Sequence, residues 1–113
     1  MFNEEVKHTG RGFRIYEFED RNNHKCTIQK SSIATEQAIW LGLESASPML
    51  LHGDATKLGI EHNENSGWVE YPIPDEVSLN TRMHLTQEQA RELGKMLLHF
   101  ADSGELPIIS GII

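Results

Sequence analysis

The chain has 113 residues, a formal net charge of −7 and a single cysteine, and these quantities exclude several classes of protein. This length suits one domain, over residues 1–113, and the negative charge opposes binding to a long nucleic acid. Cys26 has no second cysteine for an internal disulfide, which is typical of a reducing compartment. The first residues lack a secretory signal and no segment is long enough to span a bilayer, so we expect a soluble intracellular protein with no membrane partner.

The first half of the chain is predicted to form strands. Residues 1–12 are polar and contain two glycines, so we expect a loose N-terminal arm. Two extended runs, 13–18 and 25–30, flank an asparagine-containing turn at 20–24, a pattern that predicts a β-hairpin because asparagine tolerates left-handed geometry. Residues 38–43 are predicted to form a third strand.

The middle of the chain has weaker patterns. A short helix is predicted over 54–58, where Gly59 would end it. Residues 68–71 are predicted to be extended. Pro72 and Pro74 then keep the following residues out of a helix and out of a central strand.

The apolar repeat changes from two residues to helical spacing at Thr86. Before it, Leu79, Met83 and Leu85 fall on one side of a predicted fourth strand. Thr86 suits a helix N-cap, and Gln89 three residues later completes a capping box. The helix should bury an apolar stripe whose members are Ala90, Leu93, Leu97 and Phe100.

These elements predict an α+β fold: an antiparallel sheet of four or more strands with one long C-terminal helix packed on one face. Residues 105–113 form an apolar tail that should cover either its own core or a partner subunit. Because one helix covers only one sheet face, we expect a homo-oligomer, a dimer or higher.

The sequence contains no convincing catalytic or metal-binding pattern. The six histidines are widely separated and have no cysteine partner at metal-ligand spacing. Ser31 and Ser32 lie in no nucleophile elbow, and Cys26 has no identifiable base. We therefore expect no enzymatic activity, no metal and no cofactor.

A binding surface is the more informative hypothesis. If Ile39 and Leu41 face the helix, Trp40 faces the other surface of the sheet, and Arg82 and His84 point the same way. A tryptophan can stack on a base, and an arginine can pair with phosphate. The predicted ligand-binding residues are Tyr16, Lys30, Ser31, Ser32, Trp40, Arg82 and His84.

Each of these residues also has a purely structural interpretation. The segment 29–32 can be an ordinary polar turn. Trp40 can be a core residue under a loop, and if it is exposed it suits a subunit interface as well as base stacking. Arg82 can form a structural salt bridge with an acid such as Glu17 or Glu70.

Four short motifs together carry a family resemblance. They are C-T-I-Q-K-S-S-I-A-T-E at 26–36, I-W-L-G at 39–42, G-W-V-E-Y-P at 67–72 and T-R-M-H-L-T at 81–86. This pattern, within residues 13–106, resembles a family of small proteins encoded by phages and prophages. It is similar to the viral nucleotide sponges of the anti-CBASS or Thoeris anti-defence type.

The resemblance implies that the protein sequesters a cyclic nucleotide or a cyclic ADP-ribose signal in the host cytoplasm without cleaving it. An alternative is a phage inhibitor that binds a host defence protein directly, as an anti-CRISPR or anti-restriction factor that uses its acidic surface as a mimic. A third possibility is a structural accessory protein. A panel of cyclic nucleotides distinguishes the first from the others, because a ligand of the native state raises its melting temperature.

Overall fold

A computed structural model describes residues 1–108 and confirms the predicted α+β class. The elements in chain order are β1 Lys7–His8, β2 Arg14–Glu19, β3 Lys25–Lys30, β4 Ala38–Leu43, β5 Met49–Leu51, α1 His52–Lys57, β6 Trp68–Glu70, β7 Met83–Thr86 and α2 Gln87–Ser103. The chain, predicted as one domain, divides into two compact units. One contains Met1–Gly42 and the chain from Arg82 onward, and the other is Leu43–Thr81. Among the described residues, no helix meets the length and apolarity needed to cross a membrane.

The first unit is built on a five-stranded antiparallel sheet with the strand order β1-β2-β3-β4-β7. The β2–β3 hairpin has the predicted asparagine turn, in which Asn23 adopts a left-handed φ of 63°. The Asp20 carboxylate accepts hydrogen bonds from the backbone N–H groups of Asn22 and His24, both at 2.9 Å. The side chain of Asp20 therefore organises the turn that sets the hairpin register.

The predicted N-terminal arm is tied to this sheet instead of being loose. Residues 7 and 8 form β1 and pair with β2. The side chain of Asn3 accepts a hydrogen bond from the backbone of Glu17 at 2.6 Å, and Phe2 packs edge-on against Phe18 with ring centroids 5.3 Å apart. Backbone pairing with an edge strand and this aromatic contact fix a segment whose composition alone favours a loop.

The fourth predicted strand is shorter than expected. β7 begins at Met83, so Leu79 lies before the strand, in the second unit. Residues 79–81 form hydrogen bonds with the segment that follows β4 instead of extending β7. The carbonyl of Leu79 accepts from the Ala46 N–H at 2.7 Å, and the Thr81 hydroxyl donates to the Leu43 carbonyl at 3.3 Å. Alternation of apolar residues cannot reveal such competing partners.

Helix α2 begins as predicted. The Thr86 hydroxyl accepts from the Gln89 N–H at 3.1 Å, and the Gln89 side chain accepts from the Thr86 N–H at 3.0 Å, which completes the capping box. At the other end Gly104 adopts the left-handed C-cap conformation, with φ 78°. The predicted apolar stripe is only partly covered: Ala90 and Leu93 are half-buried, whereas Leu97 and Phe100 are more than half exposed.

The second unit contains a two-stranded sheet and α1. β5 pairs with β6 in antiparallel register, with Leu50 opposite Val69. Val69 and Ala55 of α1 are buried and form the apolar centre of this unit. The predicted helix and the predicted extended run 68–71 both exist here, with slightly shifted ends, while β5 was not predicted because Pro48 precedes it.

Candidate functional site

The two faces of the five-stranded sheet carry different chemistry. Leu85 and Ile39 lie with Ala90 of α2 around a cavity of about 230 Å³ on the helix side of the sheet. The opposite face carries a connected cluster, which we call the Trp40 cluster. Its members are Gln29, Ser31, Trp40, Arg82 and His84.

The cluster is centred on a stacked pair of rings. Trp40 of β4 and His84 of β7 are direct register partners, so their side chains stand next to each other on the same face. Their ring centroids lie 3.8 Å apart with an interplanar angle of 4°. Trp40 is half-buried and His84 is exposed, so the imidazole is the more accessible ring of the pair. Since β7 ends the strand order of this sheet, His84 stands on an edge strand.

Arg82 reaches across the same face to β3. Its Nη1 donates to Oε1 of Gln29 at 2.6 Å, and its guanidinium carbon lies 5.5 Å from the centroid of the Trp40 ring, a cation–π distance. Because β4 separates β3 from β7, the Arg82 side chain must cross β4. Gly42 lies on β4 one position beyond the register pair Leu41–Met83, and it has no side chain that would block the path of Arg82 across this strand. Its φ of 143° is also one that favours glycine.

Ser31 belongs to the cluster, but as a buried support. It is only 2% exposed, and its hydroxyl lies 2.8 Å from Nε2 of His84. The same hydroxyl accepts a hydrogen bond from the Ile33 N–H at 3.2 Å. Ser31 therefore fixes the plane of the His84 ring, and its burial corrects the expectation that this hydroxyl faces a ligand.

Lys30 and Tyr16 do not join the cluster. Lys30 is the last residue of β3 and directly follows Gln29, so it points to the other face, where its ammonium group donates to the side chain of Gln37. Tyr16 is the register partner of Ile28. Because Ile28 precedes Gln29 in β3, Ile28 and Tyr16 point away from the face that carries Gln29. The ring of Tyr16 packs edge-on against Phe2. Both residues were predicted on the binding surface because the sequence does not specify the register between β2, β3 and β4.

Ser32 was predicted as a site residue and Gln29 was not, yet it is Gln29 that belongs to the cluster. Ser32 is exposed and lies just beyond the end of β3. Gln29 was not among the predicted site residues, yet it holds the guanidinium of Arg82. The available signal was its position two residues before Ser31, which directly follows β3, because residues two apart along extended backbone share a face.

The cluster supplies an aromatic stack and a cation. Its Ser31 hydroxyl contacts Nε2 of His84 at 2.8 Å, but Ser31 is only 2% exposed, so this hydroxyl is poorly placed to attack a substrate. Within residues 1–108 no group of three or more His, Cys, Asp or Glu side chains is placed to hold a metal ion. Cys26 is buried, and this burial raises the pKa of its thiol, which disfavours the nucleophilic thiolate form. Such an arrangement suits the binding of a flat ring that carries negative charge.

Comparisons with protein-family models, with curated proteins and with solved structures found no match to this chain.

Proposed function

We propose that this protein is a non-catalytic binding protein that captures a small anionic nucleotide, of the cyclic nucleotide or cyclic ADP-ribose class, on the Trp40 cluster. The observation that carries the proposal is the Trp40–His84 stack with the Arg82 guanidinium beside it. The family resemblance of the four sequence motifs points to the same class of ligand and to a role in evading host immunity in the cytoplasm.

The base of the ligand would stack on the outer face of His84. Trp40 already occupies the inner face of that imidazole, and the histidine itself is exposed on an edge strand. A nucleobase placed there extends an existing stack and adds aromatic contact without rearranging the protein. Stacking of a base on an aromatic side chain contributes about 1–3 kcal/mol.

A phosphate of the ligand would be bound by Arg82. Gln29 accepts from Nη1 and so orients the planar guanidinium, whose five N–H groups can serve more than one acceptor. A charge-assisted hydrogen bond to phosphate is stronger than a neutral one. The exposed hydroxyl of Ser32 lies close in sequence to the cluster and is a further candidate contact. The net charge of −7 opposes the approach of long nucleic acids.

The mechanism is stoichiometric sequestration, in which the bound nucleotide is held and not converted. Affinity and protein concentration then determine how much signal is removed from solution. Recovery of the intact nucleotide after heat denaturation of the complex is the expected result. Appearance of a cleaved product would contradict this part of the proposal.

The decisive experiment is a melting-temperature screen with cyclic dinucleotides, cyclic trinucleotides and cyclic ADP-ribose isomers, followed by calorimetric titration of the compounds that stabilise the protein. Arg82→Ala should lower the affinity for a stabilising compound by about two orders of magnitude. Arg14→Ala is the matched control, because Arg14 is an exposed arginine of the same sheet. It precedes Ile15, the register partner of Gln29, and so it points to the face opposite the Trp40 cluster. Equal loss in both variants, or no loss in Arg82→Ala, would overturn the proposal.

A direct inhibitor of a host defence protein is the second candidate function, and the second unit carries an observation that favours it. Leu51 of β5 and Trp68 of β6 are register partners, and they are 47% and 62% exposed. Met49 shares the side of β5 with Leu51 and is also exposed. Exposed apolar groups on one ribbon are typical of a protein-binding surface. Pull-down of a host protein that is lost in Trp68→Ser but kept in Arg82→Ala would favour this function.

A further inference from the structure

Helix α2 leaves a large part of its apolar surface uncovered. Leu97, Leu98 and Phe100 are 56%, 67% and 54% exposed, although Ala90 and Leu93 of the same helix are half-buried. The first half of α2 therefore packs on the sheet, while the second half presents bulky apolar side chains to solvent. Exposed clusters of this kind mark contact surfaces in stable proteins.

The surface also allows another helix to approach closely. Gly94, Leu97, Leu98 and Ala101 recur at helical spacing and so form one strip along α2. A Cβ atom built on Gly94 would meet no atom within 4 Å, so the space above it is open. A glycine inside a helix costs roughly 0.5–1 kcal/mol relative to alanine. Closer packing of a second helix can offset this cost, because the distance between two helix axes decreases when the side chains at their contact are small.

The charges beside the strip are self-complementary. Arg91 and Asp102 stand at similar distances on either side of Leu97, and neither has a salt bridge among the described residues. A second copy of α2 packed in antiparallel orientation brings each Arg91 opposite Asp102 of the other copy. Parallel packing would instead place like charges together, so the charge pattern selects the antiparallel arrangement.

We propose that the protein forms a two-fold symmetric homodimer through antiparallel packing of α2 on α2 of a second copy, centred near Leu97 and Leu98. A two-fold axis uses the same patch on both subunits, as a single apolar strip with opposite charges at its ends requires. Leu106 and Ile108, which follow the helix in the chain, are also apolar and are 73% and 87% exposed. The dimer does not depend on ligand binding at the Trp40 cluster.

The test is the molar mass in solution, measured by light scattering after size-exclusion chromatography and by sedimentation over a range of micromolar concentrations. The parent chain should have the mass of two copies, and Leu98→Glu should have the mass of one. Leu58→Glu is the matched control, because Leu58 is 66% exposed but lies in the second unit. It should remain dimeric.

Charge reversal keeps the proposal testable if Leu98→Glu fails to fold. Arg91→Asp should raise the dimer dissociation constant about tenfold, because two repulsive pairs replace two attractive ones across the axis. The double variant Arg91→Asp with Asp102→Arg should return the constant to within roughly threefold of the parent. A monomeric parent would overturn the proposal, and so would a dimer that neither Leu98→Glu nor the charge reversal weakens.

Discussion

The imidazole of His84 lies parallel to the indole of Trp40, with 3.8 Å between the ring centroids and 4° between their planes. The two residues belong to different strands and are 44 positions apart in the chain, and only the β4–β7 register makes them neighbours. This stack couples an exposed ring to a half-buried one, so it gives the sheet edge a rigid aromatic platform.

The stack should shield Trp40 from a neutral quencher. Trp68→Phe leaves Trp40 as the only indole, and its fluorescence should be quenched less by acrylamide than that of Trp68 in Trp40→Phe, because Trp68 is 62% exposed. Adding His84→Ala to Trp68→Phe should raise the quenching constant, since one ring face is then uncovered. Unchanged quenching after loss of His84 would show that the rings are not stacked in solution.

Gln29→Glu should separate the stability of the cluster from its affinity for an anion. A carboxylate at this position pairs with the Arg82 guanidinium, which now donates to Gln29 at 2.6 Å, so the free energy of unfolding should not fall. The same carboxylate competes with a phosphate, so nucleotide affinity should fall roughly tenfold. Denaturation and calorimetry measure the two quantities. An affinity equal to that of the parent would contradict a phosphate-binding role for Arg82.

Thr86→Ala should destabilise the chain by about 1 kcal/mol, because the Gln89 N–H loses its capping acceptor. Thr86→Ser retains a hydroxyl at the same place and should stay within a few tenths of a kcal/mol of the parent. Urea unfolding followed by circular dichroism gives both values. Equal losses in the two variants would show that the threonine methyl group matters more than the cap.

Asp20→Asn should alter how stability depends on pH. The hydrogen bond from the His24 backbone, helped by that from Asn22, holds the pKa of Asp20 below its ordinary value of 3.8. As the pH falls through 3.8 the unfolded chain takes up the proton first, so this stabilisation is present above that pH and is lost through the lower folded pKa. The parent should therefore exceed Asp20→Asn in stability at neutral pH, with a difference that shrinks under acid.

Urea unfolding at neutral pH and at several values below about 4 tests this dependence. Asp75→Asn is the control, because Asp75 is exposed and lies outside the hairpin. It should leave the pH profile unchanged. A difference between the parent and Asp20→Asn that is constant with pH would show that the turn does not depend on the ionised carboxylate.

Local patterns were enough to predict most elements of this fold, although β1 and β5 were not among them. The strands at 25–30 and 38–43 were placed with the bounds that the structure has, because the alternation and turn signals that define them are contained in a few neighbouring residues. The capping box at Thr86 and Gln89 was predicted for the same reason, since both of its hydrogen bonds lie within one helical turn. Alternation also indicated that Trp40 and His84 share a face.

Tertiary structure decided which side chains form the site and which surfaces remain open. Strand register placed Tyr16 and Lys30 on the face opposite Arg82, and pairing between distant strands brought Gln29 to the guanidinium. The helical pattern of α2 fixed an apolar stripe, but the extent of the sheet beneath it left Leu97 exposed. Local sequence determines the direction of a side chain within its own element, whereas its neighbours depend on contacts between elements that no local pattern specifies.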